Sequence, residues 1–158
     1  MRPVAGPVAE ASRIRIGAAV TVLRHGSAVA VAGCGVMILG PSGSGKSGLA
    51  LRMIGLGARL VADDQVALTR AGNAVLAEAP APLAGLIEAR GVGLLRVVPS
   101  GPVPIGLAVD LGRSPAARMP QGREITLLGV EVELILGLGV HNLEAILTIL
   151  AQNGPRPV

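Results

Sequence analysis

Eight consecutive residues carry the clearest chemistry in the chain. Gly40-Pro41-Ser42-Gly43-Ser44-Gly45-Lys46-Ser47 fits G-x-x-x-x-G-K-[ST], a loop that cradles phosphate groups with its backbone N–H donors. Gly40, Gly43 and Gly45 let the backbone wrap a phosphate with no Cβ in the way. Lys46 is expected to reach the β- and γ-phosphates of ATP, and the Ser47 hydroxyl to ligate Mg²⁺. A glycine-rich turn is the plainer reading, because 23 of the 158 residues are glycine. Against it, Lys46 is the one lysine among 14 basic residues. A chain that otherwise uses Arg keeps a compact ammonium where phosphate contact calls for one.

Phosphoryl transfer needs more than a phosphate cradle. It needs a metal ligand, a group that orients or deprotonates the nucleophile, and cations for the charge that develops. Asp63 and Asp64 close a short apolar stretch soon after the loop. They read equally as a base with its electrostatic partner or as two aspartates capping a solvated turn. His25 reads as a strand-end histidine bonded to its neighbours. Glu88 and Arg90 flank Ala89 and, taken alone, read as a surface ion pair. Arg118, taken alone, reads as a solvated loop residue.

The elements that must position these groups follow from the pattern. Val36–Leu39 is an unbroken apolar run, read as a buried strand, and Leu49, Ala50, Met53 and Ile54 recur at helical spacing. The loop therefore joins a strand to a helix N-terminus, where free N–H groups and the helix dipole favour an anion. That helix is expected to end near Leu56, marked by Gly55 and Gly57. Before the loop, Arg15–Arg24 and Ala28–Ala32 read as strands. After it, Arg59–Ala62 reads as a strand and Gln65–Thr69 with Ala74–Ala77 as a hairpin around Ala71-Gly72-Asn73. Leu83–Ala89 fits helix or strand. Leu94–Val98 and Ile105–Leu111 read as strands, residues 112–122 as a loop, and Ile125–Leu136 as one or two strands. Asn142 is positioned to cap a last helix with Leu143, Ile146, Leu147 and Leu150 on one face. Hairpins outnumber crossovers, so a mixed sheet with few helices is expected: a single α/β domain over 15–152, a loose leader over 1–14 and a tail over 153–158.

Composition narrows the function further. Hydrophobic residues make up 51% and charged residues 15%, which is the composition of a packed domain. There is no Phe, Tyr or Trp. The core is therefore aliphatic, and the aromatic platforms used for single-stranded nucleic acid are missing, so no nucleic-acid partner is expected. The net charge of +4 comes from scattered arginines and suits phosphate handling. One cysteine, Cys34, allows no internal disulfide. Apolar stretches fall short of the ~20 residues a membrane span needs, and the first 16 residues lack the apolar core of a signal peptide. A cytoplasmic protein with no membrane association is expected.

Taken together, His25-Gly26, Gly40–Ser47, Leu60-Val61-Ala62-Asp63-Asp64 and Ile87-Glu88-Ala89-Arg90-Gly91-Val92-Gly93-Leu94 resemble the HPr kinase/phosphorylase family in order and spacing, over roughly residues 20–135. The glycine loop is common to many families, and the other stretches are the specific ones. The resemblance implies a P-loop core like that of phosphoenolpyruvate carboxykinase. It also implies an ATP- and Mg²⁺-dependent kinase that phosphorylates a serine of HPr, the phosphocarrier of the sugar phosphotransferase system. Hexameric assembly and a reverse reaction, phosphate attacking phosphoserine to give pyrophosphate, come with it. So does a short form holding the catalytic core alone, as in alphaproteobacteria. The roles it implies are Asp63 as base, Asp64 paired with Lys46 or the metal shell, and Ser47 and Glu88 on Mg²⁺. His25 would polarise the acid, and Arg90 and Arg118 would steady the transferring charge. Two other functions fit a glycine loop of this kind: a small-molecule kinase and a non-catalytic ATP-binding regulatory module.

Overall fold

The computed structural model describes residues 13–16 and 19–154. The chain runs β1 (Arg13–Ile16), β2 (Ala19–His25), β3 (Ser27–Val31), β4 (Cys34–Leu39), α1 (Lys46–Gly55), β5 (Arg59–Ala62), β6 (Gln65–Ala71) and β7 (Ala74–Glu78). After a short 3₁₀ turn at Ala81–Leu83 come β8 (Leu86–Ala89), β9 (Gly93–Arg96), β10 (Val103–Asp110), β11 (Glu124–Leu127), β12 (Val130–Leu136) and α2 (Leu143–Asn153). Among the described residues the strands form a ten-stranded sheet and a separate β8–β9 pair. The sheet is mixed: β10 runs parallel to β4 and to β12, while β3 is antiparallel to β4 and to β5.

Two aliphatic cores explain why the sheet has this shape. On β4, Val36 and Ile38 pack with Leu49, Met53 and Leu147 of the helices, while Met37 and Leu39 pack with Val66, Leu68 and Val75 of β6 and β7. On β10, Leu107 and Val109 join the helical core and Ala108 the other. This is the period-2 alternation of strands covered on both faces. The run at Val36–Leu39 is unbroken because both faces are buried.

Several expected elements change. The stretch read as one strand over Arg15–Arg24 is an antiparallel hairpin, β1 with β2. Leu83–Ala89 resolves as strand from Leu86, with Ile87 and Ala89 buried and Glu88 exposed between them. Ile125–Leu136 is two strands, turning at Leu128 and Gly129, both with positive φ. Asn142 stands at the N-cap of α2 but in a left-handed conformation with no side-chain cap bond, so the expected capping hydrogen bond does not form. The strand pairing of Arg13 and Ile14, the helical Asn153 and the C-cap Gly154 fall inside the expected leader and tail; the rest of both segments lies outside the described residues.

Candidate phosphate and acid-couplet site

The glycine loop leaves β4 at Leu39 and enters α1 at Lys46. Gly43 and Gly45 have φ of 82° and 98°, the left-handed region that a side chain would disfavour. The first α-helical bond is Leu49 N–H to Gly45 O, so the N–H groups of Lys46, Ser47 and Gly48 have no partner within the helix.

The Lys46 ammonium curls back over the loop, donating to Gly40 O and Pro41 O at 2.9 Å each. An ammonium has three donors, which leaves one for a ligand. Lys46 is buried, at 7% exposure, and burial pulls its pKa below the usual lysine value, a fall opposed by the charges of Asp64 and Asp63. The Ser44 hydroxyl oxygen is buried inside the loop with no hydrogen-bond partner among the described residues. An orphaned hydroxyl beside a partly used ammonium and free helix N–H groups fits the oxygens of a phosphate.

The acid couplet closes on this loop from the end of β5. Asp63 is buried and accepts three hydrogen bonds: Ser47 Oγ at 2.7 Å and Ser27 Oγ at 2.8 Å on Oδ1, and the Glu88 backbone N–H at 3.2 Å on Oδ2. Asp64 stands outside this hydrogen-bond network. Its side chain is 73% exposed, its φ is 73°, and its Oδ1 lies 3.7 Å from His25 Nδ1. The expected place of Asp64 is beside Lys46 or the metal shell. Among the described residues the two form no ion pair, though the Asp64 charge acts on the Lys46 ammonium, which gives two of its three donors to loop carbonyls. The structure thus brings together Gly40–Ser47, Asp63, Asp64, His25 and the backbone of Glu88.

Other residues singled out from the sequence are tied in less closely. The Glu88 and Arg90 side chains are exposed and form no ion pair with each other among the described residues. Arg118 is exposed in the loop after β10, with no hydrogen bond or ion pair to the site among the described residues. Sequence reasoning passed over Ser27. Its signal was a lone hydroxyl opening a strand of small apolar residues, Ser27–Val31, just after His25-Gly26.

Comparisons with known proteins converge. The family model described as HPr Serine kinase C-terminal domain matches residues 18–100. An HPr kinase/phosphorylase of Nitrosomonas europaea is 48% identical over 77 residues, covering 48% of this chain and 24% of that protein. One of Caldicellulosiruptor bescii is 39% identical over 123 residues, covering 75% of this chain and 39% of that protein. The chain therefore spans roughly a quarter to two fifths of these curated relatives. The solved HPr(Ser) kinase/phosphatase of Coxiella burnetii superposes with a TM-score of 0.71 at 26% identity, covering 84% of this chain and 95% of that one. With its mixed sheet, its two helices and a match across more than half its length, the chain belongs to the HPr Serine kinase C-terminal domain family.

Proposed function

We propose that the chain transfers the γ-phosphoryl group of ATP, bound with Mg²⁺ at the glycine loop, to a serine of HPr. The reading rests on one observation: the Ser47 hydroxyl is bonded to Asp63, which joins the phosphate loop to the acid couplet. Family membership supplies the direction, because relatives are named HPr kinase/phosphorylase. In this reading Lys46, Ser44 and the N–H groups of α1 hold the phosphates. Ser47 would hold Mg²⁺, with the Glu88 carboxylate available at the same edge. Bound there, the ion would neutralise phosphate charge.

The geometry favours a different division of labour within the couplet from the one the resemblance implied. Asp63 is buried and already accepts three donors, which leaves one acceptor position, on Oδ2. The Asp64 carboxylate is exposed, accepts no hydrogen bond among the described residues and faces His25. Asp64 is therefore the group that takes the serine proton as the hydroxyl oxygen bonds to the γ-phosphorus and ADP leaves. Asp63 organises the metal edge. In reverse, protonated Asp64 returns its proton to the serine oxygen as inorganic phosphate takes the phosphoryl group. HPr as substrate, a homo-oligomeric (hexameric) state and a cytoplasmic setting belong to the same proposal. No helix among the described residues is long and apolar enough to cross a membrane.

The test is incubation with HPr and γ-labelled ATP. Wild type is expected to label a serine. Asp64→Asn should slow transfer by about 10²–10⁴-fold, the usual worth of a general base, and keep Mg²⁺·ATP affinity. Asp63→Asn should weaken Mg²⁺-dependent nucleotide binding as well. The opposite pattern would return the base to Asp63, and an unlabelled HPr would end the kinase reading.

A further inference from the structure

Three consecutive residues at the β2–β3 corner each touch the acid couplet. The His25 ring faces the Asp64 carboxylate. The Gly26 N–H donates to Asp64 O at 3.1 Å. The Ser27 hydroxyl donates to Asp63 Oδ1 at 2.8 Å. The corner is pressed against β4: a Cβ at Gly26 would lie 2.8 Å from Ile38 O and 2.9 Å from Met37 Cε. Ser27 is 1% exposed and paired with Ile38, two residues before the glycine loop.

We infer that Ser27 is a positioning residue for the divalent cation, acting through Asp63 and Ser47. The proposal rests on reading the glycine loop as a metal–nucleotide site. A hydroxyl has one proton and two lone pairs. Ser47 gives its proton to Asp63 Oδ1, which leaves both lone pairs for a cation. That arrangement holds only while the Asp63 carboxylate keeps its orientation. Two hydroxyls from different elements, β3 and α1, converge on Oδ1, and the Glu88 N–H fixes Oδ2. Without Ser27, Oδ1 keeps only Ser47 as donor, so the carboxylate is held less firmly about its last bond, and the Ser47 oxygen with it. Groups bonded to a metal ligand from behind commonly change metal affinity about 10–100-fold when removed.

The probe is Mn²⁺, followed by its electron paramagnetic resonance as it binds the protein–ADP complex, with ADP affinity measured in parallel without metal. Ser27→Ala is expected to weaken Mn²⁺ binding about tenfold or more, with metal-free ADP affinity kept within about twofold. Ser27→Thr, which keeps the hydroxyl, should restore Mn²⁺ binding to near the wild-type value. Unchanged Mn²⁺ affinity in Ser27→Ala overturns the inference. So does a parallel fall in metal-free ADP affinity, which would mark a structural role. Should Ser27→Ala melt below the assay temperature, Ser27→Cys replaces it, a weak donor in the same place, and wild-type Mn²⁺ affinity there overturns the inference. A wild-type complex that binds no Mn²⁺ overturns it too. Failure to label HPr alongside an intact Ser27 effect on Mn²⁺ would remove the kinase reading alone.

Discussion

Lys46 sits where folding and function pull in opposite directions. A buried ammonium is costly to desolvate even when it is hydrogen-bonded, and this one is bonded to neutral carbonyls. Lys46→Met, similar in length and apolar, should therefore keep the fold with a melting temperature at or above wild type, while ATP affinity falls sharply. Thermal melts and a nucleotide titration check both halves. The sign of the pH effect follows from the lowered pKa. Just below the ordinary lysine value of 10.5, the unfolded chain holds this proton more often than the folded one, so Lys46 makes wild-type stability rise with pH there. Urea midpoints across that window should lose this rise in Lys46→Met. At the same scale, neighbouring aspartates take opposite surroundings: one is interior and accepts three donors, the other is solvated and held at positive φ.

Among the elements, the β11–β12 hairpin carries a charge conflict. Glu124 pairs with Glu133 and Thr126 with Glu131, so Glu124 and Glu131 stand diagonally on one face, within side-chain reach. A hydrogen bond with Glu124 and the nearby charge of that residue push the Glu131 carboxyl above its usual value. A raised carboxyl contributes stability below its unfolded pKa and loses it as pH rises through the folded value. Glu131→Gln is neutral throughout and should therefore show a smaller loss of stability than wild type between acid and neutral pH, read from urea midpoints. The same scale explains the two acidic ends of the site. Gly26 N–H holds the Asp64 carbonyl and Ser27 the Asp63 carboxylate, so two hydrogen bonds tie the β2–β3 corner to the end of β5.

At the scale of the molecule, β4 and β10 each feed both aliphatic cores. Neither core can open without stripping one face from these shared strands. A single cooperative unfolding transition is expected, with coincident midpoints by far-ultraviolet circular dichroism and by hydrogen exchange of amides in β4, β6 and α2. Separate midpoints for β6 and α2 would show that the cores are independent. The glycine loop leaves the end of β4, between the couplet and Leu111, whose N–H donates to Leu39 O, so the site inherits the rigidity of the most buried strand.

Local sequence determined the parts of this arrangement that depend on near neighbours. The glycine spacing and Lys46-Ser47, the apolar run before them and the helical repeat after them are local codes, and so is the hairpin turning at Gly72. The resemblance carried by His25-Gly26, Asp63-Asp64 and Ile87–Leu94 led to the family that the comparisons found. Alternation alone could not show that Arg15–Arg24 holds parts of two paired strands. It could not decide Leu86–Ala89 either, where pairing with β9 and burial of Ile87 in the helical core settle the strand. Nor could any local pattern divide the couplet, because Asp63 and Asp64 are adjacent and alike in type. Their difference comes from Ser27, 36 residues away, and from the Glu88 N–H, 25 residues on. The pairing of β3 with β5 brings Ser27 to Asp63, and the bend after β5, with Asp64 at a φ of 73°, leaves its neighbour outside that network.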